Sequence, residues 1–371
     1  MIDLLLFGLV LQVSSIDPEC YMTVPEIATY FGYHSESHIV RTSDDYLLEL
    51  HRIKSKEVTT PKGVIFMQHG LLADGFTWVP NMPNQSPGFI FASEGYDVWL
   101  GNSRGSPPSQ KHVGYGPDDS RFWNFSWQEM SEFDLTASID YVLNETSENS
   151  LYYMGHSQGT MIMFARLSEN PNFAKKIRQF HALAPVATVS HVGGLYKYFG
   201  RRFIDFVSFL LKRTPYTPLG IPKFFQRIIG ISRIGVYSCH MPAATSLKDL
   251  DHWIQLAASQ KVEKYDYGED ENLRRYGSTV PPQYNLSAIR TPTFLYYSKD
   301  DILADTTDIR DTIIAQMKGS IKGSFELKHY THMDFVYGVN AYKDLYPKIL
   351  DIINKDLPFK DKKYRENNLY Q

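Results

Sequence analysis

A serine flanked by two glycines, set between an apolar run and an apolar helical pattern, constrains this chain more than any other stretch. Leu151 to Phe164 reads L-Y-Y-M-G-H-S-Q-G-T-M-I-M-F, with Ser157 at the centre of the G-x-S-x-G turn. A strand that enters a helix through so sharp a turn lifts its serine hydroxyl onto a strained corner. Gly155 and Gly159 suit this turn because side chains there would collide with the neighbouring strand and helix. The stretch predicts a strand, a turn and a helix, with Ser157 as a nucleophile.

A second G-x-S-x-G pentapeptide, Gly101 to Gly105, serves as a control within the same chain. Tyr96 to Leu100 before it is typical of a strand, but Ser106-Pro107-Pro108 follows it. Consecutive prolines cannot continue a helix beyond its first turn. Ser103 is therefore predicted to be an ordinary turn residue.

Length and charge narrow the class of protein. The 371 residues suit one large α/β core with an insertion, and the hydrophobic content of 43% is that of a folded globular protein. A net charge of −3 gives no general attraction to nucleic acid, so no nucleic-acid partner is expected. No metal or other cofactor is expected, and the oligomeric state is left open.

The N-terminal segment, residues 1–15, is typical of a cleaved signal peptide. Its apolar stretch from Leu4 to Val13 is too short to span a membrane, although Asp3 stands where a basic residue is usual. Four N-x-S/T sequons agree with a secretory route, and they predict a secreted or lysosomal glycoprotein without a transmembrane span. The candidate glycosylation sites are Asn84, Asn124, Asn144 and Asn285.

Only two cysteines are present, Cys20 and Cys239. They allow at most one intramolecular disulfide, and two unpaired thiols are an equal alternative. The fold must therefore be held together mainly by burial of apolar side chains.

Apolar runs alternate with helical patterns along most of the chain. Such alternation predicts an α/β fold with a mostly parallel central sheet and helices on both faces. A short helix from Thr23 to Phe31 and a β-hairpin precede the alternating part. The predicted strands are Ser37–Thr42, Tyr46–Ile53, Gly63–Gln68, Tyr96–Leu100, the elbow strand, Gln179–Ala184, Thr293–Tyr297 and Ser324–Tyr330; the longer predicted helices are Ser126–Leu143, Ser246–Ser259, Asp305–Met317 and Lys343–Ile353.

The alternation stops at about Val186 and does not resume until Thr293, and this predicts an inserted, mainly helical cap over residues 186–283. The core then comprises residues 16–185 and 284–353, and residues 354–371 form a polar tail. Two interpretations of the cap stay open: a lid whose apolar face meets a lipid–water interface, or a helical subdomain that buries its own apolar face. The cap combines the apolar segment Phe203–Leu211 with the cations Arg201, Arg202, Lys212, Arg213, Lys223, Arg227 and Arg233.

A serine nucleophile needs a base to remove its proton and an acid to orient that base. In a fold of this kind the three follow in the order Ser, Asp, His, after the ends of strands. Asp301 follows the strand ending at Tyr297, with Asp300 as the alternative, whereas Asp305 and Asp308 belong to a helix start. His332 lies in the loop after the last predicted strand, and His329, the alternative, lies within that strand.

The tetrahedral intermediate needs two backbone N–H donors, one following the nucleophile and one from the loop after an earlier strand. These are predicted to be the amides of Gln158 and Leu71. Gly70 lets that loop approach the substrate oxygen.

Several strings together resemble the acid lipase family, which includes gastric lipase and lysosomal acid lipase. They are Q-H-G-L-L at 68–72, G-Y-D-V-W-L-G-N-S-R-G at 95–105, G-H-S-Q-G-T at 155–160, A-L-A-P-V-A-T-V at 182–189 and H-x-D-F at 332–335. The resemblance runs from about Asp17 to Ile353. It implies an α/β-hydrolase core with a cap and a lipid-ester hydrolase that uses Ser157, Asp301 and His332, with Leu71 and Gln158 in the oxyanion hole.

The chain departs from that family between Val189 and Cys239, where it is shorter than the vertebrate lipases and lacks part of the lid. The expected substrates are triacylglycerols or sterol esters, cleaved through an acyl-enzyme. Two alternatives are a carboxylesterase for small soluble esters with a reduced lid, and a catalytically silent lipid-binding protein.

Overall fold

The computed structural model describes residues 17–191, 218–219 and 233–357. The predicted signal peptide, the apolar segment Phe203–Leu211 with most of the cap cations, and the end of the polar tail lie outside the described residues.

One sheet of nine strands forms the centre of the described fold, in the order β1-β2-β4-β3-β6-β7-β10-β11, with β5 paired to β2. Two further short strands, β8 and β9, pair with each other in a separate antiparallel sheet. The strands from β4 to β11 in this order are parallel, and β1, β2 and β5 add an antiparallel edge. The α/β prediction is confirmed. The strands are β1 (His34–Arg41), β2 (Tyr46–Lys54), β3 (Val64–Gln68), β4 (Asp97–Gly101), β5 (Lys111–His112), β6 (Leu151–His156), β7 (Ile177–Leu183), β8 (Pro218–Leu219), β9 (Thr245–Ser246), β10 (Thr293–Tyr297) and β11 (Ile321–Glu326).

Helices cover both faces of this sheet. Two of them contain π-helical turns, at Met130–Asp134 and Ile309–Ile314. The α-helices of the described residues are α1 (Val24–Tyr30), α2 (Pro87–Ser93), α3 (Trp127–Glu129), α4 (Leu135–Thr146), α5 (Gln158–Glu169), α6 (Pro171–Ala174), α7 (Arg233–His240), α8 (Leu247–Ser259), α9 (Glu269–Tyr276), α10 (Thr306–Asp308), α11 (Asp334–Tyr337), α12 (Ala341–Asp344) and α13 (Tyr346–Asp356).

The central strands are hydrophobic because they are covered on both faces. Every residue of β3, β4 and β6 is buried, as expected for parallel strands between two helical layers. In α4 the predicted apolar stripe is buried through Leu135, Ile139 and Val142. The strand that leads into the serine turn is therefore part of the core.

The chain reverses its direction of travel across the sheet at β3. It moves from β3 outward to β4, and then returns to β6 on the other side of β3. Ligand sites in open α/β sheets lie beyond the carboxyl ends of strands at such a switch point. The loop after β3 and the serine turn after β6 meet there.

Two predicted elements differ from the structure near the C-terminus. The last strand ends at Glu326 rather than Tyr330, so the prediction that His329 lies within a strand is wrong; its φ of 59° belongs to a turn. The final helix continues to Asp356, with Leu357 buried after it. Asp356 accepts hydrogen bonds from Arg178 and Tyr152, which extends the ordered fold into the predicted tail.

Helix α8 has the predicted bounds but an unexpected orientation. The apolar residues Leu247, Leu250 and Ile254 are only half-buried. The fully buried face is polar apart from Leu256, and most of its polar side chains bind residues 126–129, before α4. That face carries Lys248, Asp249, Asp251 and His252.

Two further contacts tie the start of the described chain to α7. Cys20 and Cys239 form a disulfide, which decides between the two alternatives left open by the sequence. Arg233 donates to Glu19 at 2.6 Å and to the carbonyl of Pro80 at 2.7 Å, so this member of the cationic set forms an internal ion pair. Among the residues that the structure describes, no helix has the length and apolarity that crossing a membrane requires.

Candidate active site

Ser157 occupies the strained turn that the sequence predicts. Its φ of 53° and ψ of −121° lie in a region that residues other than glycine rarely adopt. The turn is tight on both sides: a Cβ on Gly155 would lie 2.7 Å from the carbonyl oxygen of Gly159, and one on Gly159 would lie 2.4 Å from that of Gln68. Backbone therefore packs on backbone around Ser157, which explains both glycines.

The predicted base and acid join Ser157 in one hydrogen-bonded chain. His332 Nε2 lies 2.8 Å from Ser157 Oγ, and His332 Nδ1 lies 2.8 Å from Asp301 Oδ2. Because a carboxylate can only accept, Nδ1 carries the proton and Nε2 accepts from the serine hydroxyl. This is the tautomer that a general base requires.

Asp301 is held as an anion. Its side chain is fully buried, and burial alone would raise the pKa of this carboxyl. The hydrogen bonds from His332 and from the amides of Ala304 and Leu303 outweigh burial and lower the pKa below its ordinary value. A permanent negative charge next to His332 would stabilise an imidazolium on this ring if the ring took the proton of Ser157.

The two alternative residues pair with each other instead. His329 Nδ1 lies 3.3 Å from Asp300 Oδ2, and the His329 side chain is 88% exposed. Asp305 caps the next helix by accepting from the amide of Thr307, as predicted. The structure thus brings Asp301 and His332 together at Ser157 and places Asp300, His329 and Asp305 elsewhere.

The loop after β3 lies against the serine. A Cβ on Gly70 would lie 2.9 Å from Ser157 Cβ, so only glycine permits this approach. Leu71 follows directly, and Gln158 begins α5, where the first amides have no acceptor within the helix. Both amides predicted for the oxyanion hole therefore belong to backbone that is next to Ser157.

The second pentapeptide supports that loop. The amide of Ser103 donates to His69 Nε2 at 3.0 Å, and His69 Nδ1 donates to the carbonyl of Gly70 at 2.8 Å. Asn102 Oδ1 accepts from the amide of Gly75 at 2.7 Å, at the far end of the same loop. Burial lowers the pKa of His69, which keeps this bridging ring neutral. Ser103 itself is buried and starts no helix, as expected of a turn residue.

His156 also contacts the site, although no sequence pattern selects it beyond its place beside Ser157. Its Nε2 donates to the carbonyl of His332 at 2.9 Å. Burial, followed by the neighbouring His332, lowers the pKa of His156 to about 3, so it stays neutral. A neutral ring that donates to the backbone of His332 fixes the base without competing for its proton.

Within the described ranges, no group of three or more His, Cys, Asp or Glu side chains is arranged to hold a metal ion. The four sequon asparagines, Asn84, Asn124, Asn144 and Asn285, are all exposed.

Sequence comparisons identify the family of the chain. The chain matches the family described as "alpha/beta hydrolase fold" over residues 63–335, and that described as "Partial alpha/beta-hydrolase lipase region" over residues 24–82. It is 38% identical to the lipase lipl-1 of Caenorhabditis elegans, covering 92% of this chain and 93% of that one. It is 36% identical to the gastric triacylglycerol lipase of Mus musculus, covering 94% and 96%.

A human relative is named lysosomal acid lipase/cholesteryl ester hydrolase; the identity is 36%, over 93% of this chain and 94% of that protein. Among solved structures, a soluble variant of monoglyceride lipase from Saccharomyces cerevisiae aligns with a TM-score of 0.56 at 10% identity, covering 87% of this chain and 97% of that one. At this identity the structural likeness shows the fold alone.

Proposed function

The chain belongs to the acid lipase family of α/β-hydrolases, and on this premise we propose that it hydrolyses the carboxylic esters of lipids, either triacylglycerols or sterol esters. The observation that carries the proposal is the hydrogen-bonded chain from Ser157 through His332 to Asp301, with 2.8 Å at each step. Relatives named for triacylglycerol and cholesteryl ester hydrolysis support the substrate class.

The reaction follows from the tautomer of His332. Its Nε2 removes the proton of Ser157 as Oγ attacks the ester carbonyl, and the buried Asp301 carboxylate stabilises the resulting imidazolium. The imidazolium then protonates the departing alcohol, which leaves an acyl-enzyme. A water molecule, activated by the same nitrogen, attacks this acyl group and releases the fatty acid and free Ser157.

In this proposal the amides of Leu71 and Gln158 stabilise the oxyanion. Preorganised backbone donors contribute strongly because they need not reorient as charge develops. Support comes from the close approach of Gly70 to Ser157 and from the position of Gln158 at the first turn of α5.

We also propose a secretory route, ending in secretion or in the lysosome. The Cys20–Cys239 disulfide is of a kind that persists in oxidising compartments. The exposed asparagines of the four sequons are accessible to glycosylation. The gastric and lysosomal names of two relatives support the same route.

A panel of esters tests the proposed activity. Fatty-acid release is measured from a triacylglycerol emulsion, a sterol ester and a short soluble ester at acidic and neutral pH, with Ser157→Ala as the control. We expect release from a long-chain ester, with a rate that rises when the substrate aggregates. Activity on the soluble ester alone would favour a small-ester carboxylesterase. Absence of all turnover, together with failure of a serine-directed phosphonate to label Ser157, would favour a lipid-binding protein.

A further inference from the structure

The side chain of Gln158 is held at both ends by helix α8. Its Nε2 donates to Asp249 Oδ2 at 3.2 Å, and its Oε1 accepts from Trp253 Nε1 at 2.5 Å. Gln158 is buried, and the Sδ atom of Met130 lies 3.4 Å from Nε2. The residue that supplies an oxyanion amide is thus connected to a helix 91 residues further along the chain.

The orientation of the Gln158 amide is fixed by its partners. Trp253 Nε1–H can only donate, and an Asp249 carboxylate can only accept. A flipped amide would place Nε2 against the indole N–H and Oε1 against the carboxylate, so both contacts would become repulsive. One arrangement of Gln158 is therefore allowed while both partners are present.

Asp249 is itself fixed from three directions. Its Oδ1 accepts from the amide of Trp127 at 2.7 Å, and its Oδ2 accepts from Thr245 Oγ1 at 2.8 Å as well as from Gln158. Burial raises the pKa of Asp249 to about 6 in spite of these bonds. The buried carboxylate therefore has a cost in stability, which an apolar residue at this position would avoid.

Other buried contacts keep α8 in place. Lys248 Nζ donates to Glu129 at 2.9 Å, and His252 Nδ1 lies 3.1 Å from the hydroxyl of Ser126. The hydroxyl of Ser246, just before the helix, donates to the carbonyl of Phe125. These bonds join α8 to residues 125–129, so α8 is a fixed support for whatever it touches.

We propose that Asp249 and Trp253 are positioning residues of the oxyanion hole, which hold Gln158 so that its backbone amide points at the developing oxyanion. The inference rests on the proposed function, because it assumes that Ser157 and Gln158 act on an ester. It gives two residues of α8, a helix of the predicted cap region, a role in supporting the serine turn.

The strained serine turn explains why such support is needed. A positive φ at Ser157 persists only where the surrounding structure restrains the backbone. On one side, His156 is bonded to the carbonyl of His332. On the other side, the hydrogen bonds of Gln158 with Asp249 and Trp253 prevent the first turn of α5 from moving away from Ser157.

The variant Asp249→Asn tests the contact between Asp249 and Gln158 with almost no change in side-chain volume. Either orientation of the new amide sets its NH2 group against a donor, the amide of Trp127 or Nε2 of Gln158. Removing one oxyanion donor from a serine hydrolase costs about 10²- to 10³-fold in kcat. A misplaced donor is expected to lower kcat about 10- to 100-fold, with KM changed less than about threefold.

A second substitution should reverse part of this loss. In Asp249→Asn/Trp253→Phe, Gln158 is free to flip, and its Oε1 can accept from the new asparagine. We expect kcat to recover about fivefold or more relative to Asp249→Asn. Trp253→Phe alone keeps the aspartate and removes one bond, and its kcat should fall about three- to tenfold. This single variant carries the test if Asp249→Asn does not fold.

Asp251→Asn is the matched control. Asp251 lies on the same helix, is equally buried, and accepts from Tyr265 and Gln255 rather than from Gln158. Its kcat should equal that of the wild type, whatever happens to its melting temperature. Equal kcat values for Asp249→Asn, Trp253→Phe and Asp251→Asn would overturn the proposal, and so would a double variant without recovery.

The readouts separate positioning from general damage. An alkyl boronic acid forms a tetrahedral adduct with an active serine, so its inhibition constant should rise in parallel with the loss of kcat/KM. Melting temperatures are measured for every variant. A wild-type protein that neither hydrolyses esters nor binds the boronate would refute the proposed function. An active wild type with an equally active Asp249→Asn variant would refute only the role of α8.

Discussion

The chain contains two serines in G-x-S-x-G turns and two candidate His–Asp pairs in the loops after β10 and β11, and a comparison of the two sets shows how one of them comes together. Ser157, His332 and Asp301 are all buried and joined by hydrogen bonds. Ser103 is also buried, but its amide and hydroxyl bind His69 and Gln68. The second His–Asp pair, His329 with Asp300, lies on the surface.

The difference arises from the backbone rather than from the residue types. Ser157 stands between a strand and a helix at positive φ. Ser103 follows β4 and precedes a 3₁₀ turn at Pro107–Ser109. Its neighbour Arg104 is buried between Asp134 and Asp44, which anchors the second turn to the core. The same pentapeptide thus holds its serine against His332 in one place and supports a loop in the other.

The largest expected difference in kcat/KM is between substitutions of Ser157 and Ser103. Ser157→Ala should lower kcat/KM for a long-chain ester by a factor on the order of 10⁴ or more, because the nucleophile is lost. Ser103→Ala removes one hydrogen bond from Gln68 and should leave kcat/KM within about threefold. Ester hydrolysis at equal concentrations of folded protein, checked by circular dichroism, measures both. Substantial turnover by Ser157→Ala would contradict the assignment of the nucleophile.

Substitutions of Asp301 and Asp300 should differ almost as much in their effect on kcat. Asp301→Asn removes the charge that orients His332 and should lower kcat on the order of 10³- to 10⁴-fold. Asp300→Asn changes an exposed pair and should leave kcat within about twofold. Steady-state kinetics on one soluble ester compares them. Similar losses in both variants would mean that either carboxylate can serve the base.

A smaller effect is expected where the second pentapeptide reaches the site through His69. His69→Phe removes the bridge between Ser103 and Gly70 and should lower kcat about 10- to 100-fold by displacing the amide of Leu71. His181→Phe is the control, since this buried neutral ring contacts Gln179 and Tyr296. Both substitutions should lower the melting temperature, but only His69→Phe should lower kcat. An unchanged kcat would show that the loop holds its position without His69.

The smallest effect concerns the exposed pair. His329→Ala should change the free energy of unfolding by less than about 1 kcal/mol, because exposed ion pairs contribute little and are screened by salt. Urea unfolding at low and high salt measures the change. A loss above about 2 kcal/mol in the free energy of unfolding would show that this pair supports the loop that carries His332, although the pair is exposed.

Local patterns were sufficient to predict much of the fold and which histidine and aspartate lie beside Ser157. Continuous apolar runs identify β3 and β6, since parallel strands are covered on both faces. Ser157 follows from the strand, turn and helix around it. Asp301 and His332 follow from chain order and from loops after strands, because these loops meet at one edge of the sheet.

Contacts between distant segments were not predictable from the sequence. The alternation from Ser324 to Tyr330 resembles a strand, yet pairing ends at Glu326, so His329 was misplaced. In α8 the apolar spacing indicates a buried face through Leu250 and Ile254, which are only half-buried. The buried Asp249 resembles an ordinary acidic residue of a first helical turn. Its partners, Trp127 and Gln158, lie 122 and 91 residues away, and no local pattern indicates such pairs.

The disulfide places Ser157 inside a covalent loop and leaves Asp301 and His332 in the segment after it. Cys20 and Cys239 are 219 residues apart, and the covalent loop that they close contains Ser157 but neither Asp301 nor His332. In the chain-entropy description, closing a loop of this length stabilises the folded state by about 5 kcal/mol. A single backbone cleavage inside this covalent loop, even within the predicted cap residues that precede Cys239, would therefore open the loop without releasing either piece. Ser157 would remain covalently connected to the segment that contains Asp301 and His332.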